Sequence, residues 1–537
     1  MKKIHLIIAA FFILASSGCK KYLDINTNPN GPSQADPALY LAAIESQYAW
    51  GVQFDARMLG TITQNWANSS TGNLYAPFEQ HGYLKGSDAG ADLFRNVYWK
   101  GGFNTVDMIN NATAQKKWDI VGIGLALQAW GWQMLTDYHG ELPVTQAFQD
   151  PTQNTFPYDS QDTIYAFVKR LCLQALDQFN KTGDAIGSTL LLRFDLMYKG
   201  NVARWKKFVY GILALNEHHL IKKPGYNADN VIKYVDSSFA GNVDDALVPF
   251  AGTVAGTNPD ANFFGPLRNN LASFGQSGFI VRLTDSTVFG SRDPRRLIML
   301  TPSTDGVYRG LAPYTTQSST IAASSTGVRN LWGVTMATTP AAGSGKYLFQ
   351  DKAPFPLMTY PMMQFIKAEA ALKKGDNVMA LSAYTKAVNA SLDFVQIGAT
   401  APGATPTGTT TIFAFNADPT INTNFNTQKA VFLANPAVIP TNPANLTIQM
   451  IMLQKFVALW SYGFNETWVD MRKFDYSSTV FTGLTLPSPF FVDNGGKPMY
   501  RMRPRYNSEY VWNIDALTQV GGFNADYQTY KMWIQLP

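Results

Sequence analysis

Residues 361–394 carry small and aromatic side chains in the order that two closely packed antiparallel helices require. Ala368 and Leu372 fall on one helix, Gly375-Asp376 turns the chain, and Ala380, Tyr384 and Ala387 continue on the next. The alanines remove bulk where the axes approach, and Tyr384 fills the remaining gap. This spacing agrees with the tetratricopeptide pattern at its Gly/Ala, Ala, Phe/Tyr and Ala positions. One such pair cannot bury its own apolar face, so neighbouring helices must stack on it.

The sequence supplies such neighbours. Residues 39–65 read as a helix with Leu41, Ile44, Tyr48, Met58, Leu59 and Ile62 on its apolar positions, and residues 121–136 as a second, strongly apolar one. A third follows Asp159 or Ser160, either of which can cap it, with Ile164, Phe167, Val168, Leu171, Leu176 and Phe179 along one face. A fourth begins near Asn201 and continues through Trp205, Phe208, Val209, Ile212, Leu213 and Leu220. The expected fold is mainly α, a scaffold of tetratricopeptide-like helix pairs. Two stretches interrupt it. Residues 239–354 are rich in Gly, Ser, Thr, Asn and Pro, and residues 399–445 in Thr, Asn, Pro and Ala. Irregular segments of this length are usually functional or disordered. A ligand-recognition surface is expected in the first and a variable insert in the second.

Composition indicates what such a surface would hold. Charged residues make up 15% of the 537 and aromatics 13%, against about 25% charged in typical soluble proteins. Neutral hydrogen-bonding groups take the place of the charges. Flat apolar rings beside amides and hydroxyls suit sugar rings, which stack through one face and hydrogen-bond around the edge. Most of the rings must still serve the core. The net charge of +5 falls to +3 without Lys2 and Lys3, so no basic face for nucleic acid is implied.

The N-terminus has the form of an export signal. Met1-Lys2-Lys3 is followed by an apolar run over residues 4–15, then Ser16-Ser17-Gly18 and Cys19. The run is too short to span a bilayer, which takes about 20 residues, and suits a cleaved leader. Small residues directly before Cys19 resemble a bacterial lipobox, although Ser16 stands where Leu is usual. The reading is a lipoprotein signal peptide over 1–18, lipidation at Cys19, an extended tether over 19–37 and a single domain over 38–537. Within the tether, Asn26, Asn28, Asn30 and Gly31 mimic half of a calcium loop, but Pro37 occupies the position that needs a bidentate Glu. Turn chemistry explains them better. The other cysteine, Cys172, lies in an amphipathic run and reads as a small buried hydrophobe. Two cysteines allow neither a disulfide framework nor a cysteine-based zinc site.

Catalytic motifs are absent from the sequence. There is no GxSxG elbow, GxxxxGK[ST] loop or HExxH helix, and Gly343-Ser344-Gly345-Lys346 lacks the flanking residues of a phosphate loop. His218 and His219 are adjacent on a helix and point about a hundred degrees apart, which prevents chelation of one ion. His139 follows a helix end and reads as a turn residue. Glu466 and Asp470 share a helix face and could serve glycoside hydrolysis, but Arg472 and Lys473 stand close enough to pair with them. The chain is therefore read as a non-enzyme without cofactor or metal.

Several segments in order resemble the SusD/RagB family of outer-membrane nutrient-binding lipoproteins. They are Cys19-Lys20-Lys21-Tyr22-Leu23-Asp24-Ile25-Asn26-Thr27-Asn28-Pro29; Asp137-Tyr138-His139-Gly140-Glu141-Leu142-Pro143-Val144; Asp195-Leu196-Met197-Tyr198-Lys199-Gly200-Asn201 with Trp205; Asp293-Pro294-Arg295; Trp468-Val469-Asp470-Met471-Arg472; and Arg503-Pro504-Arg505-Tyr506 with Glu509. In the second, His139 is inserted before Gly140 and Val144 replaces the usual Tyr. The resemblance implies a helical lid at the outer face of the outer membrane of a Gram-negative bacterium. It also implies a partner, a SusC-like TonB-dependent transporter, to which a captured glycan or other oligomer is delivered.

Family motifs do not specify the ligand residues. From chemistry alone, the candidates are aromatics outside the helical stripes: Trp66, Tyr75 and Tyr83 with Asn73, then Tyr314 and Trp332. A local basic cluster, Arg292, Arg295 and Arg296, could serve an anionic polymer, and peptide oligomers remain open. The competing readings are a lipid-anchored glycoside hydrolase and a tetratricopeptide-type envelope scaffold.

Overall fold

The computed structural model of the protein describes residues 35–149, 152–181, 189–252, 260–400 and 411–537. The leader, Cys19 and nearly all of the tether lie outside the described residues. A short 3-10 turn (Pro37–Tyr40) opens the described chain, with the Asp36 carboxylate accepting the Ala38 N–H at 2.9 Å. Helix α1 (Leu41–Ile62) follows, then α2 (Gly102–Ala114), α3 (Trp118–His139) and α4 (Gln161–Asn180). Next come α5 (Val202–His218) and α6 (Ala228–Ser237), then α7 (Tyr360–Lys374) and α8 (Asn377–Ile397). Helices α9 (Pro419–Ala434), α10 (Ile448–Leu459) and α11 (Phe464–Lys473) complete the scaffold. The fold is mainly α, as the periodicity predicts.

Helices pair in sequence order: α3 on α4, α5 on α6, α7 on α8, with α6 joining the last two pairs. In the α7–α8 pair Ala368, Ala380 and Ala387 are fully buried. Tyr384 lies between the helices and donates to the Val438 carbonyl at 2.8 Å. Gly375, at φ 88, ends α7, and Asp376 accepts the Met379 N–H at 3.0 Å to start α8. On α3, Gly122 faces the Phe179 ring so closely that a Cβ there would stand 2.6 Å from it. That glycine sets the separation of α3 and α4.

Two local expectations change. Neither Asp159 nor Ser160 caps α4 through its side chain. Asp159 instead accepts the Val144 and Thr145 N–H groups at 2.8 and 2.7 Å and fastens the loop after α3. Residues 399–445 contain α9, which the Thr- and Asn-rich composition hides. Asp418 caps it and Pro419 occupies its first turn. The helix persists because Phe425 and Phe432 are buried against the scaffold, and tertiary burial outweighs weak propensity.

The long 239–354 segment is pinned by two small antiparallel ladders. Strand β1 (Trp66–Asn68) pairs with β3 (Phe274–Gln276), and β2 (Ala246–Val248) with β4 (Phe355–Met358). These ladders hold the irregular layer on the helices.

The core has a polar centre. Lys455 is fully buried, 2.5 Å from Glu466 and 2.8 Å from Asp470. Lys473 reaches Asp470 and Glu369 at 2.9 and 2.7 Å, and His219 reaches Glu466 and Asp137 at 2.8 and 3.2 Å. The network ties α3, α5, α7, α10 and α11 together.

Candidate functional site

The sequence candidates separate into core and surface residues. Trp66 is wholly buried, its ring enclosed edge-on by Phe264, Phe274, Phe349 and Phe464. Trp332 is also buried, and its indole donates to the Phe264 carbonyl at 2.7 Å. Neither offers a ring face to a ligand; both cement the irregular layer onto the helices. Asn73 uses its amide within its own turn, bonded to Asn68 and accepting the Tyr75 N–H at 2.9 Å. Tyr314 is half-buried on the loop that lies against Ser69, and Glu79 accepts its backbone N–H at 3.2 Å. Tyr75 and Tyr83 do line clefts.

A cleft of about 710 Å³ runs between residues 94–110 and 505–513, with 143–148 and 153–156 closing one side. Its rim carries Trp99 at 62% exposure, Phe103 at 53% and Trp512 at 62%. Large rings are seldom this exposed without a purpose when they gather at one concavity. The floor is built to hold them. Phe94 stacks on Tyr98 with centroids 4.5 Å apart, Tyr98 meets Trp132 edge-on at 5.0 Å, and the Tyr98 hydroxyl donates to the Pro143 carbonyl at 2.8 Å. Phe148 packs edge-on against Phe103 at 5.2 Å.

The opposite wall is fixed by amide bonds. Asn513 accepts the Phe156 N–H at 3.0 Å and donates to the Phe156 carbonyl at 2.9 Å. Glu509 accepts from Tyr158 and Asn513 at 2.8 and 3.0 Å. Asn110, Gln153 and Asn154 stand exposed around the opening. Rings, carboxamides and hydroxyls thus meet in one preformed concavity.

A smaller cleft adjoins it, and a third adjoins that one through Leu84, Ser87 and Ala89. The adjoining one, of about 450 Å³, is lined by Phe54, Arg57, Leu74 and Tyr75 and shares Arg95 and Arg505 with the first. Arg57 donates to the Tyr75 hydroxyl at 2.9 Å and lies 4.0 Å from the centre of the Phe54 ring. The other, about 310 Å³, holds Tyr83, Tyr506, Tyr510 and Phe523. Tyr506 stacks on Tyr510 at 5.5 Å, and the Arg503 guanidinium covers Tyr83 at 3.9 Å.

The other sequence candidates are absorbed into structure. Asp470 is ion-paired with Lys473 as expected, and Lys455 pairs with both Glu466 and Asp470 in the place foreseen for Arg472. Arg472 turns to the carbonyls of Tyr500, Asp137 and Trp468. His139 is buried, its Nδ1 3.2 Å from the Met502 carbonyl, and burial lowers its pKa to about 4. Cys172 is buried, and burial raises its thiol pKa. No basic patch forms at Arg292, Arg295 and Arg296, because Arg295 is buried on Asp293 at 2.6 Å and bonded to Ser391 and Gln454. Among the described residues no cluster of His, Cys, Asp and Glu could hold a metal.

Trp99, Phe103, Tyr506, Tyr510 and Trp512 are not among the sequence candidates, and recognition was expected in 239–354. A signal existed: Tyr506, Tyr510 and Trp512 crowd a seven-residue stretch whose other members are Asn507, Ser508, Glu509 and Val511.

The fold defines a scaffold of tetratricopeptide-like helix pairs that carries aromatic clefts on its surface. Residues 29–499 match the SusD-like family described as "Starch-binding associating with outer membrane", and the chain belongs to that family. A SusD/RagB family protein from Bacteroides thetaiotaomicron shares the fold at TM-score 0.65 and 19% identity, over 94% of this chain and 99% of that one. A SusD homolog from Bacteroides uniformis does so at 0.66 and 16%, over 94% and 100%. A chitin-binding SusD homolog from Flavobacterium johnsoniae does so at 0.65 and 18%, over 94% and 99%. No curated protein matches the sequence.

Proposed function

We propose that this chain is a lipid-anchored glycan-capture protein of the outer membrane, held at the cell exterior through Cys19. It binds an oligosaccharide without cleaving it and passes it to a SusC-like TonB-dependent transporter. The observation that carries this reading is the 710 Å³ cleft with Trp99, Phe103 and Trp512 exposed at its rim. A stacked ring contributes of order 1 kcal/mol beyond simple burial, and the adjoining amides can meet hydroxyl groups. Membership of a starch-binding family and the likeness to a chitin-binding homolog support the glycan class. Among the described residues no helix is long and apolar enough to cross a membrane, which is compatible with anchoring by lipid.

The test is incubation of the mature protein with a panel of soluble oligosaccharides, followed by calorimetry and chain-length analysis. Binding with unchanged chain length supports capture. Shortening of any oligosaccharide would replace this reading with hydrolysis. Isolation from native membranes together with a large TonB-dependent barrel supports the import pair, and its repeated absence would remove that part.

A further inference from the structure

The 710 Å³ and 450 Å³ clefts share two lining residues, Arg95 and Arg505. Both side chains are partly exposed, at 33% and 21%, so the divide between the clefts is a saddle that reaches solvent. Each is already neutralised. Arg95 is 2.6 Å from Asp92, and Arg505 is 2.8 Å from Asp88. Asp88 is itself fixed by the Asn507 backbone and side-chain N–H groups, both at 2.9 Å. An arginine held in this way offers a flat face and spare N–H donors but little free positive charge.

The rest of the trough is not basic either. The larger cleft adds Asp107 and Glu509, and the smaller adds Arg57, whose guanidinium is engaged by Tyr75 and Phe54. Three guanidiniums thus face four carboxylates along the whole path. A polyanion would gain no net attraction here and would meet Asp107 and Glu509 beside the exposed rings.

We propose that the two clefts form one trough, and that a single uncharged oligosaccharide crosses the Arg95–Arg505 saddle, stacked on Trp99 and Trp512 at one end and reaching Tyr75 at the other. This inference rests on the glycan-capture reading and adds to it the charge class and the path of the ligand. Two consequences follow from the geometry. Affinity rises with chain length beyond what the aromatic cleft alone can hold, and uronate or sulfated chains bind worse than neutral ones.

The experiment is calorimetry with graded malto-, chito-, xylo- and manno-oligosaccharides and with oligogalacturonate, oligoalginate and heparin fragments. Wild-type protein is compared with Ser87→Trp, which fills the smaller cleft from its half-buried rim, and with Arg505→Gln. Circular dichroism confirms that both variants fold. The expected result is a neutral series whose longer members bind at least tenfold tighter than its shortest binder. In Ser87→Trp that gain is lost while the short member is unaffected, and in Arg505→Gln the gain is reduced. Equal or tighter binding of the acidic chains, or a length dependence unchanged in Ser87→Trp, overturns the inference and leaves glycan capture standing. Failure of every oligosaccharide to bind wild-type protein overturns the capture reading and this inference with it.

Discussion

Lys455 Nζ stands 2.5 Å from Glu466 Oε1, with both side chains almost completely withdrawn from water. The pair joins α10 to α11 at the centre of a network that also engages α3, α5 and α7. Removing one partner leaves the other charged in a medium that cannot solvate it. Lys455→Met is therefore expected to cost about 3–5 kcal/mol in unfolding free energy. Adding Glu466→Gln should give a double variant whose loss is smaller than the sum by about 0.5–3 kcal/mol. Urea titrations followed by circular dichroism measure both, and strict additivity would show that the two groups do not interact.

His219 makes stability depend on pH in a defined direction. Burial opposes its charge, but the carboxylates of Asp137 and Glu466 outweigh that and raise its pKa from 6.5 to about 10. The imidazolium is thus stabilised by folding. Its contribution is complete below about pH 6.5, declines by about 1.4 kcal/mol per pH unit above that, and is gone once pH passes about 10. His219→Gln should flatten the alkaline limb of unfolding free energy measured between pH 6 and 10. An unchanged alkaline slope would contradict a protonated His219 in the folded state.

Exposed and buried tryptophans should answer differently to truncation. Trp99→Ala and Trp512→Ala are expected to leave unfolding free energy within about 0.5 kcal/mol of wild type. Each should weaken binding of a neutral oligosaccharide by about 1 kcal/mol. Trp66→Ala should instead cost about 3–5 kcal/mol of stability through the cavity left among four phenylalanines. Paired denaturation and calorimetry on the three variants separate the roles, and a large stability loss in Trp99→Ala would place that ring in the core.

Gly60 lies against the Trp66 indole, where a Cβ would stand 2.4 Å from the ring. Gly60→Ala would favour the helix locally but must displace a fully buried tryptophan. Overpacking of this kind costs about 1–3 kcal/mol. A lower denaturation midpoint with altered near-ultraviolet dichroism is expected, and an unchanged midpoint would mean the irregular layer can give way.

Cys19 decides attachment under the proposed function. Cys19→Ala should move the protein from the membrane fraction to the soluble periplasmic or secreted fraction, as read by fractionation and immunoblotting. Retention on membranes by the variant would show that another contact anchors it.

The α7–α8 pair was legible because its signal is local. Ala368, Ala380, Tyr384 and Ala387 recur at intervals set by helical geometry, and helices α1, α3, α4 and α5 were readable from the same period. Helix α9 was not, since Thr and Asn crowd its first half and the burial of Phe425 and Phe432 that holds it cannot be read from the sequence. The ion pairing of Glu466 and Asp470 was foreseen in kind, but Lys455 lies on a separate helix and carries no mark of its partner. Trp66 and Trp332 looked like surface rings because they stand outside helical stripes. They are buried because the irregular layer has a core of its own.

Periodicity, capping residues and small-residue spacing act over a few positions, so the order of residues by itself determined the helix-pair scaffold and the family resemblance. Which rings face solvent depends on contacts between segments hundreds of residues apart, such as Phe156 with Asn513 and Asp88 with Arg505. A side chain in irregular backbone has no periodic face, and only the partner brought to it by folding decides whether it is covered. The tertiary structure alone therefore set Trp99 and Trp512 at an open cleft and enclosed Trp66 within the protein.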